Sequence, residues 1–145
     1  MDEPVTDGGV DANARSGSRA VARARITMRP ATARAVAGNE MKKGDVLSTA
    51  RFAGMQAARD AASYVPLLDP EPVRDVTVDF EVGAGFIDVT VGATCVNASS
   101  AHARALSGAT VAALTVYDMC KSADRTMRIG RVERLTPLPH DPATN

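Results

Sequence analysis

DVTVDFEVGAGFIDVTVGATC, residues 75–95, is the stretch whose reading decides the fold. Val76, Val78, Phe80 and Val82 alternate with Asp75, Thr77, Asp79 and Glu81, and after Gly83 and Gly85 a second run puts Ile87, Val89, Val91, Ala93 and Cys95 on one face. Strict alternation is the period of a half-buried strand, and two such runs joined by a glycine-containing turn predict a β-hairpin. One face of that hairpin is apolar and needs cover.

Upstream, Ala20, Ala22, Ala24, Ile26 and Met28 alternate with Arg19, Arg23 and Arg25, which predicts another half-buried strand with its arginines on the wetter face. With no interleaved aromatics and a formal net charge of +0, these arginines do not read as a nucleic-acid patch. Pro30 suits the first turn of a short helix over residues 30–37 that Gly38 ends. Beyond Gly44, the residues Ala50, Ala53, Gly54, Ala57, Ala58 and Ala61 form a helical stripe of small side chains. Such a stripe lets another element approach the backbone closely.

Downstream of the hairpin, Ser99 or Ser100 is the expected N-cap of a second long helix. Its apolar side carries Ala105, Ala109, Ala112, Ala113, Val116, Met119, Cys120 and Ala123. Residues 127–135 read as a last strand, with Gly130 suited to a bulge. The order is strand, short helix, long helix, strand, strand, long helix, strand. Discounting the short helix, this is the split βαβ order of a ferredoxin-like α+β fold, an antiparallel sheet with helices on one face.

One domain over residues 19–135 is expected, because 145 residues are enough for a single sizeable core. Tails flank it: residues 1–18 are rich in Gly, Asp and Ser, and residues 136–145 contain Pro137, Pro139 and Pro142. No apolar run reaches membrane-spanning length and the start is acidic, so a cytoplasmic protein without membrane contact is expected. Cys95 falls in a strand pattern and Cys120 on the apolar side of a helix, without CxxC spacing or clustered histidines. Buried reduced thiols are predicted, with neither a metal site nor a redox cofactor.

The chemistry-bearing candidates lie on the helices. Asp118 and Lys121, three apart on one helix, can project into one pocket and shift each other's ionisation. Lys43 stands at the entrance to the first long helix, where amide groups and an ammonium can hold an anion together. Taken alone, the pair reads as an exposed ion bridge and Lys43 as a solvated lysine.

Three blocks change that weighting. KKGDVLSTARFAGMQAA (residues 42–58), VAALTVYDMCKSADR (residues 111–125) and MRIGRVERL (residues 127–135) resemble the MoaC family, the cyclic pyranopterin monophosphate synthases of molybdenum-cofactor biosynthesis. Those proteins rearrange a cyclised dihydro-GTP nucleotide. The resemblance runs from about residue 21 to residue 135 and implies the ferredoxin-like fold. It also implies a homo-hexamer, a trimer of dimers with active sites between subunits. Carried over residue by residue, Lys43, Asp118 and Lys121 match positions that the family uses in catalysis or substrate binding. Thr49 and Arg51, in the first block, are expected substrate contacts. Rearranging a phosphorylated nucleotide requires cations near phosphate oxygens and groups that shuttle protons. On this reading Lys43 reaches the Asp118–Lys121 pair across a subunit boundary.

Other segments depart from the family's pattern. Where the family has Cys-His-Pro-Leu after Ile-Pro-Leu, this chain has Val65-Pro66-Leu67-Leu68-Asp69-Pro70-Glu71, with Asp69 in the place of the histidine. An aspartate cannot simply substitute for a neutral imidazole. The family's Gly-Val-Glu-Met-Glu becomes Ser100-Ala101-His102-Ala103-Arg104, so two carboxylates give way to an imidazole and a guanidinium. The local charge moves from about minus two to about plus one or more. A lysine- and glycine-rich tail gives way to Pro137-Leu138-Pro139-His140.

Chemically capable replacements at pocket positions predict repurposing. The expected protein is a MoaC-like cyclase or lyase that acts by acid–base chemistry on another small polar or anionic metabolite. Asp69 and His102 would move protons and Arg104 would hold the substrate. Ordinary cyclic pyranopterin monophosphate synthesis is one alternative. A catalytically silent paralogue that binds a metabolite or partner subunits is the other.

Overall fold

The computed structural model describes residues 17–136, so nearly all of both expected tails, with His140, lies outside the described residues. The chain runs β1 (Ser18–Thr27), α1 (Pro30–Ala37), α2 (Val46–Asp60), a 3-10 turn (Ala61–Ser63), β2 (Asp75–Val82), β3 (Phe86–Cys95), α3 (Ala98–Cys120) and β4 (Arg128–Arg134). The four strands form one antiparallel sheet in the order β2-β3-β1-β4. This is the α+β arrangement that the alternating patterns predict.

The predicted hairpin forms with Val82 opposite Ile87 and Asp75 opposite Thr94. Its apolar residues, with Ala20, Ala22, Ala24 and Ile26 of β1, pack beneath α3 and α2. On the opposite face the β1 arginines are paired rather than free: Arg25 makes two bonds to Asp88, at 2.8 and 2.9 Å, and Arg19 reaches Asp75 and Thr77. β1 therefore separates an apolar face from a face of compensated charge, whereas β4 is exposed along its whole length. The expected irregularity in the last strand is also present, as a register shift between β1 and β4 flanked by Gly130 and Glu133.

The small-residue stripe has a steric cause. A Cβ on Gly108 of α3 would lie 2.9 Å from the Gly54 carbonyl oxygen and 2.9 Å from Val91, and one on Gly54 would lie 3.1 Å from the Gly108 carbonyl. At these distances Gly108 has no room for a side chain and Gly54 has little, and α2 and α3 meet backbone to backbone over the sheet. Both cysteines are buried and free.

The start of α3 differs in its detail from the sequence reading. Asn97, rather than Ser99 or Ser100, is the N-cap, and its side-chain oxygen accepts from the amides of Ser99 and Ser100. Its backbone is still extended, as a cap requires, whereas both serines already lie in the first helical turn. No helix among the described residues is long and apolar enough to cross a membrane.

Candidate active site

Lys43, Asp118 and Lys121 meet at the C-terminal end of α3. Lys121, the C-cap residue, donates from Nζ to Oδ1 of Asp118 at 2.8 Å. Lys43 donates to the Asp118 backbone carbonyl at 3.4 Å. The approach of Lys43 is set by the segment between α1 and α2, where Gly44 takes a φ of 116°, a value open to glycine. Asp45 then caps α2, accepting from the Ser48 amide and hydroxyl. Lys43 thus comes to the pair within one chain.

Electrostatics keep the pair charged. The hydrogen bond and the ammonium charge of Lys121, with a smaller contribution from Lys43, hold the Asp118 carboxyl below the usual carboxylate range. The same bond holds the Lys121 ammonium above its ordinary value. Two ammonium groups also lie at the carbonyl end of a long helix, where the macrodipole favours cations. The result is a solvent-facing carboxylate able to accept a proton beside ammonium groups able to hold an anion. Clefts open on both sides of the last turn of α3. One is lined by Lys42, Lys43, Met119 and Ser122, the other by Tyr117, Lys121, Ser122 and Arg125.

Asp69, His102 and Arg104 belong to the other end of α3. Arg104 and Asp118 are fourteen residues apart, about 21 Å along the helix at the usual rise. Arg104 is only 1% exposed. Its guanidinium donates to the carbonyls of Ala58, Arg59 and Asp69 and to the Ser100 hydroxyl. His102 is buried as well, with Nδ1 at 2.8 Å from the Ala98 carbonyl and Nε2 at 2.8 Å from the Thr136 carbonyl. Asp69 contributes its backbone carbonyl to Arg104, and its residue borders a shallow surface cleft with Asn97 and Ser99. Within one chain these three residues fasten the segment after α2 and the end of β4 to α3, and they do not join the Lys43–Asp118–Lys121 cluster.

Thr49 and Arg51 also turn elsewhere. The Thr49 hydroxyl donates to the Asp45 carbonyl at the start of α2. Arg51 donates to the Val78 carbonyl of β2, and its guanidinium lies 5.4 Å from the centre of the Phe80 ring.

Two residues missed by the sequence reading border the cluster. Lys42 lines the same cleft as Lys43. A signal for it was available, because of the seventeen Lys and Arg residues only Lys42, Lys43 and Lys121 are lysines. All three gather at this end of α3, in a chain that otherwise uses arginine for positive charge. Asp124 is the second, 1% exposed at the rim of the cleft that holds Lys121. Burial alone would push its carboxyl up. Hydrogen bonds from the Thr126 hydroxyl and amide, the Arg29 amide and the Thr32 hydroxyl outweigh this and hold it far below the usual range. Nothing in the sequence pattern around Asp124 distinguishes it from a turn residue. Among the described residues, no group of three or more His, Cys, Asp or Glu side chains could hold a metal ion.

A two-layer α+β domain with a carboxylate–ammonium cluster at the end of its longest helix is the class defined by fold and site together. The sequence profile of the MoaC family matches residues 9–136. The chain is 44% identical over 115 residues to a protein of Roseiflexus castenholzii named cyclic pyranopterin monophosphate synthase, covering 78% of this chain and 73% of the relative. It is 41% identical over 118 residues to the synthase of Pelobacter propionicus, covering 80% and 74%. A probable synthase of Methanoregula boonei is 42% identical over 106 residues, covering 73% and 68%. The chain belongs to the MoaC family.

Proposed function

We propose that this chain is a lyase of the cyclase type, working by acid–base chemistry at the Lys43–Asp118–Lys121 cluster on a small phosphorylated substrate. The reaction named for its relatives, cyclic pyranopterin monophosphate synthesis, is the reading that the comparisons support best. The observation that carries it is the cluster itself: a carboxylate and two ammonium groups, brought together by separate elements and open to solvent. Asp118 would take and return protons while Lys43 and Lys121 hold phosphate oxygens, the division of labour that such a rearrangement requires. Assembly into a hexamer belongs to the same proposal. The exposed apolar side chains of Phe52 and Leu114, on the outer sides of α2 and α3, support burial against another subunit.

A second reading, a diverged substrate, is favoured by the opposite end of α3. There Arg104 and His102 give their polar atoms to backbone carbonyls, where the family pattern has two carboxylates. One positioned acid–base group contributes about 10²- to 10⁴-fold to a rate, so losing two bears directly on the family substrate.

The test is incubation of the purified protein with the cyclised dihydro-GTP nucleotide, with chromatographic detection of the cyclic pyranopterin monophosphate. Product formation that disappears in Lys121→Ala is the expected result. A folded, assembled protein that forms no product would overturn the first reading and leave the second.

A further inference from the structure

The Asp124 carboxylate is buried, held by four donors from two separate segments, and used by no step of the proposed chemistry. On one side are the Arg29 amide at 2.9 Å and the Thr32 hydroxyl at 2.7 Å, at the junction of β1 with α1. On the other are the Thr126 amide at 2.8 Å and hydroxyl at 2.6 Å, in the turn between α3 and β4. The Arg29 guanidinium adds an ion-pair contact at 4.0 Å. A buried carboxylate is costly unless its oxygens are fully bonded, and here the Thr126 bonds brace the turn itself while the Arg29 and Thr32 bonds tie it to the start of α1.

Those two segments adjoin the cluster. The turn that holds Asp124 is the continuation of α3: the amides of Ala123 and Asp124 both donate to the Cys120 carbonyl, next to Lys121. The segment held at Arg29 and Thr32 is the start of α1, whose Ala35 lines the cleft with Lys42 and Lys43. Lys43 and Lys121 lie on separate parts of the chain, and Asp124 fastens the element that leads to the first to the turn that follows the second.

We propose that Asp124 is a positioning residue, which sets the approach of Lys43 and Lys121 to Asp118 by tying the start of α1 to the end of α3. The functional side of this proposal rests on the reading of the cluster as the working site. Its structural side can be measured without any substrate. A bond network that fixes a charged pair controls how strongly the partners perturb one another, because a coulombic and hydrogen-bonded shift falls away with misplacement. Asp118, Tyr117, Arg125 and Asp124 itself are the charged or titratable residues that contact Lys121 or line its cleft, with Lys43 on the far side of Asp118. The groups that raise the Lys121 ammonium are Asp118 and Tyr117, not Asp124. The Thr32 and Thr126 hydroxyls can be removed with the Asp124 charge left in place, which separates an effect of geometry on Lys121 from one of charge.

The chain's lysines provide the readout, since Lys42, Lys43 and Lys121 are the three in the sequence and all lie at this site. Reductive methylation of the assembled protein with ¹³C-formaldehyde gives one dimethyl signal for each, assigned with Lys→Arg variants and followed across pH by NMR. The wild-type Lys121 signal is expected to titrate at higher pH than that of Lys42. In Asp124→Asn, and in Thr32→Val and Thr126→Val, which remove a single donor without changing charge, the Lys121 midpoint should fall and the Lys43 signal should move. A merely structural role would lower the melting temperature and leave the lysine signals of the folded protein unchanged. Wild-type signals in all folded variants would overturn the proposal, and if Asp124→Asn does not fold, the two threonine variants decide it. Once a substrate is turned over, Asp124→Asn should reduce kcat by about 10²-fold, the cost of a small misplacement of catalytic groups, with KM little changed. Shifted lysine signals in a protein inactive on the family substrate would uphold the positioning role and sink only the reading of that substrate.

Discussion

At one end of α3, Asp118 and Lys121 are exposed and have each other and Lys43 as partners; at the other, Arg104 and His102 are buried and their polar atoms face backbone carbonyls. Both ends contain basic side chains that a sequence reading can assign to a substrate. They differ in what satisfies those side chains. A guanidinium whose donors end on carbonyl oxygens is already consumed by the fold, and releasing it would leave buried acceptors unpaired. An ammonium that shares a carboxylate in open solvent loses little by exchanging that partner for a phosphate. Position along the helix reinforces the contrast. Lys121 lies where the macrodipole favours a cation, whereas Arg104 lies near the positive end and is offset by directed carbonyl dipoles.

The largest expected effect tests the buried end. Arg104→Ala should lower stability by about 3 kcal/mol or more, because it opens a cavity and strands the carbonyls of Ala58, Arg59 and Asp69. Urea denaturation measures it, and a loss under about 1 kcal/mol would place Arg104 with the adaptable side chains. The exposed end should respond in activity instead. Asp118→Asn and Lys121→Ala are each expected to lower turnover of the substrate by at least about 10²-fold, with the melting temperature nearly unchanged. Both groups are held in their charged forms, Asp118 from below and Lys121 from above. Turnover should therefore be flat from about pH 5 to about pH 9, well inside the two ordinary pKa values. A bell-shaped profile centred within that range would assign the rate to other groups.

The smallest expected effect falls on Asp69, which sharpens the comparison because the sequence reading assigned its carboxylate to proton transfer. Its backbone carbonyl, not its carboxylate, is what Arg104 holds. Asp69→Ala should then change stability by less than about 0.5 kcal/mol, as a surface substitution does. A large loss of turnover in a stable Asp69→Ala protein would return this segment to the active site, with a second subunit bringing it to the cluster.

The architecture was legible in the sequence because its patterns are local. Alternation over residues 75–95 and 19–28 marks faces of strands, and the Gly54 stripe marks a close helix contact that the carbonyl of Gly108 completes. Half of the expected site was legible for the same reason: Asp118 and Lys121 are three apart on one helix, so the helical repeat alone puts them together. The other half was not. Whether Arg104 serves a ligand or the fold depends on carbonyls of Ala58, Arg59 and Asp69, at least 35 residues away in sequence. Periodicity carries no information about such partners.

Sequence by itself therefore determined the strands, the helices, their apolar faces and the Asp118–Lys121 pair, all of which follow from spacings within a few residues. Tertiary structure alone decided that Lys43 joins that pair within one chain, that Asp124 ties α1 to the end of α3, and that Arg104 and His102 turn inward. The physical reason is that burial and hydrogen-bond satisfaction depend on which distant segments meet in space. A charged side chain has no fixed role until those partners are in place.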